Sequence, residues 1–244
     1  MANTLSFSKS KTLFLLCLFV ILCGFSFAQP LNEGFQIDAT QKSQKNTTIP
    51  NLKVSAQVGY GYRFANSLYT AESAMYKHLK KLKNSLSFGA DFSYYFTNNI
   101  GIGIKYNSIS SHVVTNDLRY TFSNGNKENA KQVSEYIETH FVGAFLATQF
   151  FLVPNKHSIF ANVGAGFIRY KNNIMLNSRE VSNIDNSAAF FGEIGYDFFI
   201  TKSFAIGLQI STLIELTNGL SDPESMSHID FSLGFKFYNQ FRTK

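Results

Sequence analysis

From Leu52 onward, apolar and polar residues alternate with a period of two, the pattern of strands with unlike faces. Eight such runs can be read. The first sets Leu52, Val54, Ala56, Val58, Tyr60, Tyr62 and Phe64 against Lys53, Ser55, Gln57, Gly59, Gly61 and Arg63. The second sets Leu86, Phe88, Ala90, Phe92, Tyr94 and Phe96 against Ser85, Ser87, Gly89, Asp91 and Ser93. The third opposes Ile100, Ile102, Ile104 and Tyr106 to Gly101, Gly103, Lys105 and Asn107. A fourth, over 137–152, places Val142, Leu146 and Phe150 opposite Gly143 and Gln149. The fifth opposes Ile159, Ala161, Val163 and Phe167 to Asn162, Gly164 and Gly166, and the sixth Phe190, Ile194, Tyr196 and Phe198 to Glu193, Gly195 and Asp197. The seventh opposes Phe204, Ile206, Leu208 and Ile210 to Ala205, Gly207, Gln209 and Ser211. The eighth opposes Ile229, Phe231, Leu233, Phe235 and Phe237 to Asp230, Ser232, Gly234 and Lys236.

The connections alternate between short and long. Short turns fall at Asn98-Asn99, Pro154-Asn155-Lys156 and Thr201-Lys202; long ones cover 65–84, 111–135, 171–186 and 216–227. That rhythm and an even strand count predict an all-β, eight-stranded antiparallel up-and-down transmembrane β-barrel with both ends on the short-turn side. All four prolines are expected outside the strands, where no ladder hydrogen bond is lost.

Alternation alone does not separate a membrane barrel from a soluble one with an apolar interior. Volume does. The interior of an eight-stranded barrel is only just wide enough for side chains to fill it, so the face rich in Phe, Tyr, Leu and Ile must point outward. Eleven of the sixteen glycines (59, 61, 89, 101, 103, 143, 164, 166, 195, 207, 234) fall on the opposite, inner face. No Asp, Glu, Lys or Arg interrupts the apolar face at membrane depth, where Lys or Arg would cost roughly 2–4 kcal/mol at the bilayer midplane. Tyr62, Tyr94, Tyr106 and Phe237 stand near strand ends, as interfacial girdle residues do.

The segment ahead of the barrel has a different character. Residues 1–28 carry Lys9 and Lys11, an apolar run over 13–25 and a Ser26-Phe27-Ala28 ending, the three parts of a secretory signal peptide with cleavage before Gln29. The apolar run falls short of the roughly 20 residues that span a bilayer as a helix. Residues 29–51 are polar and aperiodic between Pro30 and Pro50, a flexible periplasmic leader, so the barrel proper is expected over 52–241. Both cysteines, Cys17 and Cys23, lie in the removed segment, which excludes disulfides and thiol chemistry from the mature chain.

Composition adds little that is specific. Lys+Arg 22 against Asp+Glu 16 gives a formal charge of +6, and loss of Lys9 and Lys11 lowers it to +4, too small and too dispersed to suggest nucleic acid. The charges of the inner face matter more: Lys53, Arg63, Lys105 and Lys236 against Asp91, Glu193, Asp197, Glu215 and Asp230. Buried charges are tolerable when paired. The strand order suggests Asp91 with Lys105, and Arg63 with Asp230. A salt-bridged plug is the favoured reading of this network over a selectivity filter or proton path, since a filled eight-stranded barrel leaves little room for water.

The first long loop carries Lys77, His78, Lys80, Lys81 and Lys83, expected on a short helix and suited by charge to outer-leaflet phosphates. The second keeps β-forming residues over 112–122 and 132–141 around Asn124-Gly125, a turn dipeptide. Strands continuing there would protrude and expose edges able to add a partner strand. The histidines His78, His112, His140, His157 and His228 are scattered, without HExxH, nucleophile-elbow or calcium-loop spacing. No catalytic set, metal site or cofactor is expected; His112 or His140 beside a serine is the place where a lipid-processing pair could arise.

Alternating strands, glycine-rich inner face, short inner turns and long outer loops together resemble the small OmpA/OmpX-type outer-membrane barrels. The resemblance covers about 52–241 and includes the closing strand Phe231-Ser232-Leu233-Gly234-Phe235-Lys236-Phe237-Tyr238, similar to the aromatic signal read by the barrel-insertion machinery. Arg242-Thr243-Lys244 after Phe241 departs from a terminal aromatic, and the chain leaves no room for a peptidoglycan-binding domain. The resemblance implies a Gram-negative outer-membrane location, lipid and the insertion machinery as partners, a monomer, and an extracellular ligand at the loops. It leaves three functions open: a non-enzymatic surface-interaction barrel with a closed lumen, a narrow channel or carrier for small or apolar solutes, and a lipid-modifying enzyme.

Overall fold

Strict alternation of β-branched and aromatic residues with small polar ones gives strands that must bury one face and leave the other in a different medium. The computed structural model describes residues 50–65, 74–121, 127–153, 156–177, 179–217 and 225–240. The expected signal peptide 1–28, the leader as far as residue 49, Asn124-Gly125, Pro154-Asn155 and the end from Phe241 lie outside the described residues. The elements are β1 (Pro50–Arg63), α1 (Ala74–Leu82), β2 (Asn84–Tyr95), β3 (Ile100–Thr121), β4 (Lys127–Val153), β5 (His157–Leu176), β6 (Arg179–Phe199), β7 (Phe204–Glu215) and β8 (His228–Gln240). Every strand pairs antiparallel with its chain neighbour, and β1 pairs with β8, so the sheet closes.

The register fixes the shape of the barrel. A ladder row followed from Leu52 runs through Tyr94, Ile102, Leu146, Val163, Gly192, Thr212 and Ile229 and returns to β1 at Tyr62. The return is offset by ten residues, a shear that tilts the strands by about 40° and leaves an interior only side chains can fill.

The faces are inverted relative to a water-soluble fold. Burial alternates along all of β2, with Ser87, Asp91 and Ser93 inside and Leu86, Phe88 and Phe92 outside. Lys53, Lys105, Lys236, Glu193 and Asp197 are buried, whereas Phe167 is 78% exposed and Leu86 70%. Each such apolar side chain left in water would forgo about 1.5–3 kcal/mol. A closed sheet with its charges inside and its aromatics outside is built for hydrocarbon: the chain is a transmembrane β-barrel of the outer-membrane kind.

At the turn end, two tight turns share one device. Thr97 Oγ1 accepts from the backbone N of Ile100 at 2.9 Å, and Thr201 Oγ1 from that of Phe204 at 3.0 Å, so a hydroxyl closes each reversal.

Three expectations are corrected. Pro50 lies inside β1, as its first residue, where a register shift before Leu52 removes the need for its missing N–H. Residues 171–186 are not a loop: β5 and β6 pair as far as Leu176 and Arg179, and Asn177 turns the chain with φ 55. The fourth strand begins at Lys127 rather than 137 and β3 runs to Thr121, so the strands do continue into the β-forming stretches 112–122 and 132–141. Period-two contrast fades there because a strand that has left the bilayer can be polar on both faces, as over 179–186, where one position is half-buried and the rest exposed.

The four long strands β3–β6 therefore rise past the ends of β1, β2, β7 and β8. α1 packs on the inner side of this extension. Met75, His78 and Leu82, spaced to share one helix face, are its buried residues. Met75 joins Ala130, Val133 and Leu176 in one apolar cluster, and Leu82 joins a second one inside the barrel.

Candidate functional site

Two regions concentrate polar chemistry: the lumen and the loop-end extension. Lumen side chains form layers. Nearest the turn end, Phe199 and Tyr238 pack with ring centroids 4.9 Å apart against Ala205. The Tyr238 hydroxyl donates to Asp197 at 2.7 Å and accepts from Gln149 Nε2 at 3.0 Å.

Above them lies the charge layer. Lys236 pairs with Asp197 at 2.7 Å, Lys53 stands 3.9 Å from Asp91, and Lys105 pairs with Glu193. Lys236 and Lys53 also lie over the Phe160 ring, 3.4 and 4.7 Å from its centroid. Neutral donors add to these pairs: Asn162 donates to Glu193 at 2.8 Å, Gln209 to Glu193 at 3.1 Å, and Ser55 to Asp91. Asp230 accepts from Ser211 at 2.6 Å and Asn107 at 3.4 Å. Three cations and four carboxylates are thus gathered in this part of the lumen.

The expected partners are rearranged. Asp91 and Lys105 are opposite in register, yet Lys105 crosses the lumen from β3 to Glu193 on β6, while Asp91 takes Ser55, directly opposite it on β1, and Lys53. Inward side chains on adjacent strands run side by side, and a long lysine finds its best partner across the barrel. Arg63 does not reach Asp230. The register sets Asp230 opposite Gly61 and Arg63 opposite His228, and Arg63 Nη1 donates to the Tyr170 hydroxyl at 3.3 Å. Glu215 accepts the backbone N–H of Met226 at 2.9 Å and helps fasten residues 225–227.

Above the charges sits an aromatic layer that pattern reading missed. Phe141, Phe145 and Phe191 are buried, with Phe191 edge-on to the other two at 5.4 and 5.7 Å between centroids. The available signal was cross-strand: Phe145 lies opposite Gly103 and Gly164, Phe191 opposite Gly164, and Phe160 opposite Gly195. Each inner ring occupies space a glycine vacates; a Cβ on Gly195 would collide with the Phe160 ring. Between this layer and α1 remains a cavity of about 10 Å³, room for one water, bordered by Arg63, Ser111, Thr139 and His228.

α1 covers the mouth. His78, expected at lipid head groups, is instead buried: Nδ1 meets Thr115 Oγ1 at 2.8 Å and Nε2 meets Glu135 Oε2 at 3.0 Å, and Asn172 donates to the other Glu135 oxygen at 2.8 Å. Helical spacing puts His78 on the inner face and Lys77, Lys80 and Lys81 on the exposed one. Lys83 follows the helix, 5.9 Å from the Tyr62 ring centroid, and partial burial with Arg63 and Lys80 nearby holds its ammonium below the ordinary lysine pKa.

On the outer wall, His112 Nε2 lies 3.0 Å from Ser134 Oγ, while His140 bonds the Tyr106 hydroxyl at 2.9 Å and Glu138 at 3.2 Å. Among the described residues there is no metal-ligand cluster.

No protein-family model matches the chain, and no curated protein matches it in sequence. Solved structures similar to it include Ail, the attachment invasion locus protein of Yersinia pestis, with 15% identity and a TM-score of 0.43 over 76% of this chain and 97% of that one. Neisserial surface protein A is similar with 11% identity and a TM-score of 0.48 over 78% and 97%. OprG from Pseudomonas aeruginosa is similar with 9% identity and a TM-score of 0.41 over 80% and 99%.

Proposed function

We propose that this protein is a surface-interaction barrel of the outer membrane, with a closed lumen, whose working part is the loop-end extension. The observation that carries the reading is the division of the molecule at the membrane edge. Below it, the lumen is filled with packed charged and aromatic side chains; above it, β3–β6 continue as a twisted sheet with two lengthwise edges. On β3, pairing with β2 ends at Ser110, and on β6, pairing with β7 ends at Ala189. Among the described residues, backbone of 111–121 and 179–187 therefore has no strand partner on its outer side. Such edges accept an extended segment of another protein by main-chain hydrogen bonds. Lys77, Lys80 and Lys81 add a positive face beside them, suited to an acidic partner. A leader removed after Ala28 and a periplasmic placement of the turn end belong to the same reading.

Liposome swelling with the purified, refolded barrel tests the closed lumen against the channel alternative. Swelling rates in small sugars should equal those of protein-free vesicles. Rates that rise with protein content would reject the reading.

A further inference from the structure

The outer wall of β3–β6 carries an ordered change of chemistry. The register gives successive outward rows across the four strands. Ile104, Ala144, Ala165 and Phe190 form one apolar row, and Tyr106, Val142, Phe167 and Ala188 the next. Two residues further along come Ser108, His140, Arg169 and Asn186, then Ser110, Glu138, Lys171 and Ile184. With tilted strands, two residues correspond to about 5 Å of height. On β5, Arg169 thus stands about 5 Å above the fully outward Phe167, at the upper end of the strand's apolar stretch.

Within these rows the charges are not balanced among themselves. Glu138 lies opposite Lys171 in register, but its carboxylate is turned to His140 Nε2 at 3.2 Å, and the other ring nitrogen of His140 is held by Tyr106 at 2.9 Å. Among the described residues, Arg169 and Lys171 are left without an ion-pair partner. Arg169 is exposed and Lys171 half-buried, on one strand and one face, so their Cβ atoms are about 7 Å apart. Ser108, Ser110 and Asn186 flank them with neutral hydrogen-bonding groups.

We propose that Arg169 and Lys171, braced by the Tyr106–His140–Glu138 chain, form a binding site for the phosphorylated sugar head of an outer-leaflet glycolipid, whose acyl chains lie against Val142, Phe167 and Phe190. A guanidinium takes phosphate oxygens two at a time, and the lysine adds a second charge at phosphate-bridging distance. The wall supplies what a soluble anion site lacks, an apolar slope directly below the cations. The lysines of α1 are not part of the site, because the helix sits on the inner side of the extension. The proposal rests on the loop end facing outward.

Its test uses the full barrel in nanodiscs of zwitterionic phospholipid doped with bis-phosphorylated lipid A, with bound glycolipid counted by native mass spectrometry. The double variant R169Q/K171Q should lose about tenfold in lipid A retention, and removal of both lipid A phosphates should produce the same loss in the wild type. The triple variant K77Q/K80Q/K81Q should retain lipid A unchanged. Equal retention by wild type and R169Q/K171Q would overturn the proposal, as would a loss confined to the helix variant. Displacement by millimolar inorganic phosphate would assign the row to free anions and also overturn it. Orientation is read separately, by labelling a cysteine placed at Asn173 in intact cells. Failure to label would reject the outward loop end whatever the binding result.

Discussion

The lumen charges are held by geometry that tolerates little change. Lys105 and Glu193 are almost wholly buried and reach each other from opposite walls. Removing one partner leaves the other uncompensated, which costs about 3–5 kcal/mol, whereas replacing both by apolar side chains of similar volume is often neutral. Lys105→Met should therefore lower the unfolding free energy in lipid vesicles by about that amount, and Lys105→Met with Glu193→Leu should recover most of it. Equal losses in the single and double variants would contradict the pairing. The identity of the lumen charges could be read from the sequence, because period two assigns Lys53, Asp91, Lys105, Glu193, Asp197, Asp230 and Lys236 to one face. Their partners could not: cross-strand register brings neighbours side by side, while Lys105 spans the barrel. Nor could the inner rings. Phe145 and Phe160 look like interruptions of a small-residue face until Gly103 and Gly195 are seen opposite them.

At the scale of elements, strand identity follows wherever the two faces meet different media, and fails where they do not. β2 and β7 are read almost to the residue, since lipid lies on one side and charges on the other. The upper half of β6 reads as a loop because both its faces are exposed, and that of β5 because its inner face, Asn172, Ile174 and Leu176, mixes polar and apolar residues under α1. α1 shows the reverse case. Its lysines are conspicuous in the sequence, but Met75, His78 and Leu82 give it its place. The His78 imidazole bridges Thr115 and Glu135 and ties the helix to β3 and β4. A hydrogen bond to a charged group contributes about 1.5–3 kcal/mol. His78→Leu should then make opening of α1 on the order of tenfold to a hundredfold more frequent, read as faster tryptic cleavage after Lys80 and Lys81. Strand protection in hydrogen exchange should not change, because the helix forms no part of the ladder. Unchanged cleavage would mean that the apolar contacts of Met75 and Leu82 alone hold the helix.

For the whole molecule, the closed lumen proposed above rests on layers in series. The Tyr238–Phe199 floor, the layer of Lys53, Lys105 and Lys236 with their acids, the phenylalanine layer and the buried face of α1 follow one another along the barrel. A shear of ten on eight strands leaves each layer only a few side chains wide, so on the proposed reading any one suffices to exclude solutes. Barriers in series do not fail singly. Deleting α1, or replacing Phe145 and Phe191 by alanine, should therefore leave liposome swelling at the protein-free rate, even where stability falls. Swelling should begin only when layers are removed together, with the helix, the two phenylalanines and the Lys105–Glu193 pair all replaced by small neutral residues. A barrel that opened on loss of α1 alone would place the whole barrier at the helix and make it a gate; one that stays shut is the outcome the proposed surface-interaction role requires.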